Sequence, residues 1–179
     1  MNILFLTIGA FDSIEKHGLY PDLLRVFARE GHSLYIVSTR ERRTGLPTEL
    51  LEDASSHRLQ VRIGNITRTN LLEKGLSTVT IGQCYQRAIQ KYWRDVRFDL
   101  VLYSTPPITL AGVVDWVKRR DGARTYLLLK DIFPQNAVDV GILKKSGLKG
   151  LIYRYFRAKE KKLYAISDRI GCIWFTLIG

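Results

Sequence analysis

Short, densely apolar runs alternate with stretches of helical spacing, and that order leaves few folds open. Residues 2–8, 33–38, 100–103 and 125–129 are too short for buried helices. They are also too uniformly apolar for strands with one wet face, so they read as strands covered on both sides. Residues 59–63 alternate apolar and polar and read as a further strand, and residues 170–174 open a last one. Between them, Leu19, Leu23, Val26 and Phe27 recur at helical spacing through residues 19–30, and Gly31 stands where such a helix stops. Residues 71–96 also predict a helix, weakened early by Gly75, Gly82 and the Ser77–Thr80 run. Helices are expected at 108–120 and, most clearly, at 149–168. Crossovers long enough to hold helices imply an α/β fold with a doubly wound parallel sheet, Rossmann-like, over residues 1–172.

A chain of 179 residues can bury one sizeable core, and 46% hydrophobic with 25% charged residues excludes general disorder. The charge is less ordinary. Lys and Arg number 28 against 17 Asp and Glu, a net +11, which favours a polyanionic partner: nucleic acid, anionic lipid or a phosphate-bearing substrate. Cys84 and Cys172 lie far apart with no metal-ligand spacing around them, so reduced thiols are expected. Residues 1–11 lack a basic n-region and a small-residue cleavage site, and no run reaches membrane-spanning length. The expectation is a cytoplasmic protein that touches a membrane only from outside. There is no internal repeat, low-complexity tract or linker.

In open α/β sheets the working residues gather where the strands end. The first such place is the loop Gly9 to Gly18. It lacks the G-x-G-x-x-G spacing of tight pyrophosphate binding, and it brings His17 and Gly18 to the start of the first helix. His17 alone reads as a solvated loop residue or a ligand contact. The second place is Lys130-Asp131-Ile132-Phe133-Pro134-Gln135-Asn136, after the strand at 125–129. Asp131 can act as a weak base toward a hydroxyl, or fix the turn before Pro134, and both roles can hold together. The third is Ser104-Thr105-Pro106-Pro107, whose hydroxyls can bind sugar or phosphate or cap the following helix. Glu73, by itself, is a solvated residue in the first turn of a helix.

Residues 144–162 concentrate the charge: Lys144, Lys145, Lys149, Arg154, Arg157, Lys159, Lys161 and Lys162 face only Glu160, +7 of the total. Leu148, Leu151, Ile152, Tyr155, Phe156 and Leu163 fall on one stripe there, expected to enter the core. Arg154, Arg157 and Lys161 fall opposite, expected, with Lys149, to make weak contact with anionic lipid.

The segments at 130–136 and at 99–107 (Asp-Leu-Val-Leu-Tyr-Ser-Thr-Pro-Pro), with Glu73-Lys-Gly75 and Gly31-His32, resemble the amino-terminal half of family-four retaining glycosyltransferases. The resemblance is strongest to those that build bacterial capsule, O-antigen and colanic acid. It implies one half of a GT-B architecture that moves a sugar from a nucleotide-sugar donor to a lipid-linked acceptor at the inner face of the cell membrane, with retention and without a metal or other cofactor. Asp131 is then the catalytic candidate, and Gly9, His17, Gly18, Glu73, Ser104 and Thr105 line the substrate cleft. Such proteins hold the nucleotide mainly with a second domain whose paired-glutamate motif has no counterpart here, so transfer by this chain alone is not expected. The other readings are a non-catalytic subunit that completes a split glycosyltransferase with a separate donor-binding chain, and a basic Rossmann-like nucleic-acid-binding module. No base-reading motif is present, and no nucleic-acid partner is expected. The apolar tail at 173–179 reads either as a final strand or as the mark of a fragment.

Overall fold

The computed structural model describes residues 1–53, 56–105, 108–130, 134–139, 141 and 146–172. Its strands are β1 (Asn2–Leu6), β2 (Ser33–Glu41), β3 (Glu49–Glu52), β4 (Ser56–Ile63), β5 (Leu100–Thr105), β6 (Arg124–Leu129) and β7 (Arg169–Cys172). They form one sheet in the order β3-β4-β2-β1-β5-β6-β7, parallel throughout except for β3, which runs antiparallel to β4. The helices are α1 (Leu19–Arg29), α2 (Leu71–Tyr92), α3 (Ala111–Asp121), the short α4 (Gln135–Asp139) and α5 (Gly147–Ile166).

Strand alternation assigns the layers. On β1, Ile3 and Phe5 point to one face and meet Leu24 of α1 with Leu34, Ile36 and Leu102. Leu4 and Leu6 point to the other, where α2, α3 and α5 bring Ile81, Tyr85, Val114 and Leu163. Each such side chain contributes about 1.5–3 kcal/mol when fully buried. The doubly wound parallel sheet is therefore as expected, with β1 and β5 at its centre.

In α2 the residues at four-residue spacing, Ser77, Ile81, Tyr85 and Ile89, are buried, together with Gly82 and Ala88. The early glycine that weakens its helical signal has a packing reason. A Cβ on Gly82 would stand 2.9 Å from the Thr109 carbonyl oxygen, so the small residue lets α2 seat against the 3-10 turn Ile108–Leu110. The buried Tyr85 hydroxyl then donates to the Thr7 carbonyl at 2.5 Å and fastens α2 to the exit of β1. Burial holds that phenol well above its ordinary pKa, so it remains a donor.

Three expectations change. β3 was not anticipated: Glu-Leu-Leu-Glu is four residues long with charged ends, and it forms because β4 offers an open edge. β2 runs on through Thr39, Arg40 and Glu41, because β4 pairs with it along its whole length. The apolar stripe of α5 enters the core only in part. Leu163 is buried and Phe156 packs against the core, but Leu151, Ile152 and Tyr155 are exposed, while the charged Glu160 is buried beneath Arg157 and Tyr164. Arg154 and Lys161 are on the surface, whereas Arg157 is tied to Glu160 and Lys162 to Asp115 of α3. The Lys149 side chain and residues 173–179 lie outside the described residues. Among the described residues, no helix is long and apolar enough to cross a membrane.

Candidate functional site

Where β1, β2 and β4 end, their loops enclose a cavity of about 400 Å³. Its rim begins at Gly9, whose φ of +101° is open to glycine and costly for other residues. Gly9 N–H donates to Thr39 Oγ1 at 2.8 Å and the Thr39 N–H returns a bond to the Gly9 carbonyl at 3.3 Å, so the exits of β1 and β2 clasp each other. The rest of the first loop is anchored by Phe11 and Ile14, both buried, and by the Arg25 guanidinium, which donates to the carbonyls of Ile14 and Lys16. The loop is thus a folded wall of the cavity.

The floor holds Arg40, mostly buried. Its guanidinium donates to the Pro47 carbonyl at 3.0 Å, to Glu49 at 2.9 Å and to the Gln60 side chain, which joins β2, β3 and β4 under the cavity. Along the far wall Glu41 accepts from the Thr67 hydroxyl at 2.6 Å, from the backbone N–H groups of Ile66 and Thr67, and lies 3.2 Å from Arg43 Nε. Partial burial pushes the Glu41 carboxyl up, but these bonds and the Arg43 charge outweigh it and hold the pKa below the ordinary range. Arg43 in turn donates through its backbone to Asn65 Oδ1 at 2.9 Å and through its side chain to Thr67.

Glu73 belongs to the same polar framework, one turn further on. The Thr69 hydroxyl, the Asn65 amide at 2.9 Å and Arg42 at 2.8 Å all bond its carboxylate and lower its pKa, in that order of effect. Its own N–H is capped by Asn70 Oδ1 at 2.8 Å, so Glu73 starts α2 as well as bracing the strand exits. With Arg42, Asn70 and Ser77 it lines a neighbouring cavity of about 580 Å³. Glu41 and Glu73 are therefore fixed anions. Neither holds a proton at neutral pH, and both orient arginines whose heads remain accessible to solvent.

Ser104 and Thr105 lie at the end of β5, on the other side of β1 from β2 and β4. Both are buried, and the Thr105 hydroxyl accepts the Lys130 N–H at 3.4 Å. The Lys130 ammonium lies 4.1 Å from the centroid of the Tyr20 ring, in the first turn of α1, and Tyr20 packs on Phe5 at 5.1 Å. The ends of β5 and β6 thus meet the segment that follows Gly18. His17 is 99% exposed and its ring lies 4.0 Å from Asp22, so the fold leaves it to solvent. Asp131, Pro106 and Pro107 lie outside the described residues.

Sequence reasoning missed Thr39, Arg40, Glu41, Arg43 and Thr67. The available signal was the run Thr39-Arg-Glu-Arg-Arg-Thr44, which puts three arginines at a strand end. Read with a strand that stops at Ser38, it looks like a solvated turn.

No family model matches the chain. Over 106 residues, 59% of its length, it is 30% identical to a probable glycosyltransferase, WbjE, of Pseudomonas aeruginosa. It spans 25% of that protein. The apo structure of OtsA superposes with a TM-score of 0.58 at 10% identity, covering 95% of this chain and 39% of that one. A trehalose-6-phosphate structure from E. coli bound with UDP-2-fluoro glucose gives 0.59 at 8% identity, covering 96% and 39%. At such identities these superpositions speak to the fold, and the match to WbjE adds the sequence. In fold and in partial sequence, the chain is similar to the amino-terminal part of GT-B glycosyltransferases.

Proposed function

We propose that this chain is the acceptor-side half of a retaining glycosyltransferase, which passes a sugar from a nucleotide-sugar donor to a lipid-linked acceptor in bacterial surface-polysaccharide synthesis. The observation that carries the reading is the walled cavity at the ends of β1, β2 and β4, in a domain whose sequence is related to a probable glycosyltransferase. Hydroxyls from Thr39, Thr44 and Thr67 and the cationic head of Arg43 line this cavity, with Arg42 in the neighbouring one, and suit a polyol that carries phosphate. The nucleotide-sugar is a substrate in this reading, and no further cofactor is invoked. Asp131 follows β6 in the chain, next to Lys130, whose ammonium lies over Tyr20 at the start of α1, and its carboxylate is the group assigned to orient the acceptor hydroxyl or accept its proton.

Transfer requires donor and acceptor to be held together, an advantage of about 7–11 kcal/mol that one half-site does not supply. The isolated chain is therefore expected to be inactive, and a donor-binding half, in the same polypeptide or separate, completes the enzyme. The test uses this chain joined to or mixed with such a half, a panel of nucleotide-sugars and extracted bacterial lipid as acceptor. Asp131→Asn should lower turnover by about a hundredfold while the melting temperature is unchanged. Equal turnover removes Asp131 from the chemistry, and efficient transfer by the purified chain alone overturns the half-site reading.

A further inference from the structure

We infer that the groove between α2, α3 and α5 is a binding site for a single sugar ring that carries one negative group, a carboxylate or a phosphate. This inference makes no use of the catalytic reading, and the groove shares no lining residue with the two cavities at the strand exits. On α2, Val79, Gly82, Gln83 and Gln86 recur at three- and four-residue spacing and form one wall. Tyr155 and Lys159, four residues apart on α5, form the other. Thr109, Gly112 and Val113 supply the base, because α3 and the 3-10 turn before it touch both helices. The groove holds about 250 Å³. Pockets for drug-sized ligands run from about 300 to 1,000 Å³, so one ring fits here and a chain does not.

The polar groups of this groove lack partners in the protein. The Thr109 hydroxyl is buried without a hydrogen bond, a costly state for a polar group. Among the described residues, the Gln83 and Gln86 amides and the Tyr155 hydroxyl also make no hydrogen bond, and the half-buried Lys159 pairs with no acid. Its ammonium lies 5.5 Å from the centroid of the Tyr155 ring. Asp115 of α3 holds Arg119 and Lys162, and Glu160 of α5 holds Arg157, so neither neutralises it. These groups select the ligand. Each carboxamide presents a donor beside an acceptor, which matches adjacent sugar hydroxyls. Lys159 adds one positive charge and calls for one negative group, while the Tyr155 ring gives the apolar face of a sugar a surface to lie against. No carboxylate lines the groove, so it does not suit a metal cation. Reaching the Thr109 hydroxyl takes a rotation of neighbouring side chains, and Gln83, Gln86 and Lys159 are long and untethered.

The experiment is an NMR titration of the full chain with glucuronic acid, glucose 6-phosphate, glucose and inorganic phosphate. The acidic sugars should shift amides near residues 82–86, 109–113 and 155–159, and at least one should bind about tenfold more tightly than glucose or phosphate alone. The tighter of the two identifies the negative group. Lys159→Met should remove the advantage over glucose. Thr109→Val should weaken binding by about fivefold, yet leave the melting temperature unchanged or raised, since the hydroxyl has no partner to lose. A Cβ on Gly112 meets nothing within 4 Å, so Gly112→Leu should fold at least as stably and block the groove. Absence of sugar binding overturns the inference, as does inorganic phosphate that binds as tightly as glucose 6-phosphate. Binding indifferent to both Thr109→Val and Gly112→Leu overturns it too. Shifts confined to residues 39–44 and 65–73 would move the sugar to the strand exits, overturning this site while leaving the proposed function in place.

Discussion

At the amino-terminal edge of the sheet, Asp121 is wholly enclosed and takes a two-pronged bond from Arg120, at 2.6 and 2.7 Å, with Arg97 at 3.1 Å and the Phe98 N–H at 3.2 Å. At the carboxyl edge, Glu73 holds an arginine in a comparable way, but that arginine is 61% exposed, against 16% for Arg120. Both edges use carboxylate, guanidinium and backbone N–H. They differ in what remains free. Arg120 spends its remaining capacity on the Val96 carbonyl and on the Trp116 ring, 4.7 Å away, whereas Arg42 and Arg43 are anchored at one side and open to solvent at the other. A charged cluster that is closed fixes the strand entries, and one left open at the strand exits can meet a ligand. The parallel sheet supplies this polarity, since all of its loops of one kind lie at one end.

The largest test of the contrast is Asp121→Ala. It strands Arg120 in a mostly buried position and leaves the Phe98 N–H without its acceptor. The expected loss is about 3–5 kcal/mol, seen as a fall in melting temperature of roughly 6–20 °C. Glu73→Ala should cost distinctly less, because water can reach Arg42. Equal losses would mean that the open cluster is as structural as the closed one.

The closed edge was hidden in the sequence, for a physical reason. Asp121 is 23 residues from Phe98 and Asp168 is 43 from Thr125, so these pairings exist only once β5, β6 and β7 lie side by side. The strands themselves were legible: the dense apolar content of β1, β5 and β6 reports burial on both faces, and the spacing of Leu19, Leu23 and Phe27 reports a helix. Glu49–Glu52 carried no comparable signal, because an edge strand half in water needs neither density nor strict alternation. On α5, periodicity correctly put Leu151, Ile152 and Tyr155 on one face. It could not say whether another element covers that face, and among the described residues none does. The site was legible in position, at the strand exits, and less so in membership. Gly9, singled out through its loop, lines the candidate cavity, but Arg40 and Glu41 act through partners at Gln60 and Thr67 that only the β2–β4 pairing brings near.

A second test concerns pH. Asp168 bonds Lys118 at 2.7 Å, and Thr125 donates to it through its N–H and hydroxyl, both at 2.9 Å. The Lys118 bond leads in lowering its pKa to about 2. A folded pKa below the unfolded value near 4 means that this carboxylate stabilises the fold fully above about pH 4 and less as pH falls toward 2. Allowing for partial exposure to solvent, the contribution is about 1–2 kcal/mol. Chemical denaturation from pH 6 to pH 2 should show the advantage of the wild type over Asp168→Asn shrinking across that window. A difference that stays constant with pH would assign the effect of the substitution to packing.

The smallest expected change in stability is at the open edge, in Gly9→Ala. No atom stands within 4 Å of the added Cβ, so the cost comes from the backbone at φ +101° and is about 1 kcal/mol, or 2–4 °C in melting temperature. The local effect should be larger. Relaxing that φ pulls the Gly9 N–H away from Thr39 Oγ1 and opens the clasp between the exits of β1 and β2, which forms the rim of the cavity. Amide exchange at Gly9 and Thr39 should therefore accelerate, while amides at the other edge that hold to Asp121 and Asp168, those of Phe98 and Thr125, keep their protection. In the two-half enzyme proposed above, the same substitution should reduce turnover far more than it reduces stability. Exchange that rises equally at both edges would show that the clasp belongs to the global fold, and the division between a closed structural edge and an open functional one would fail at the residue chosen to display it.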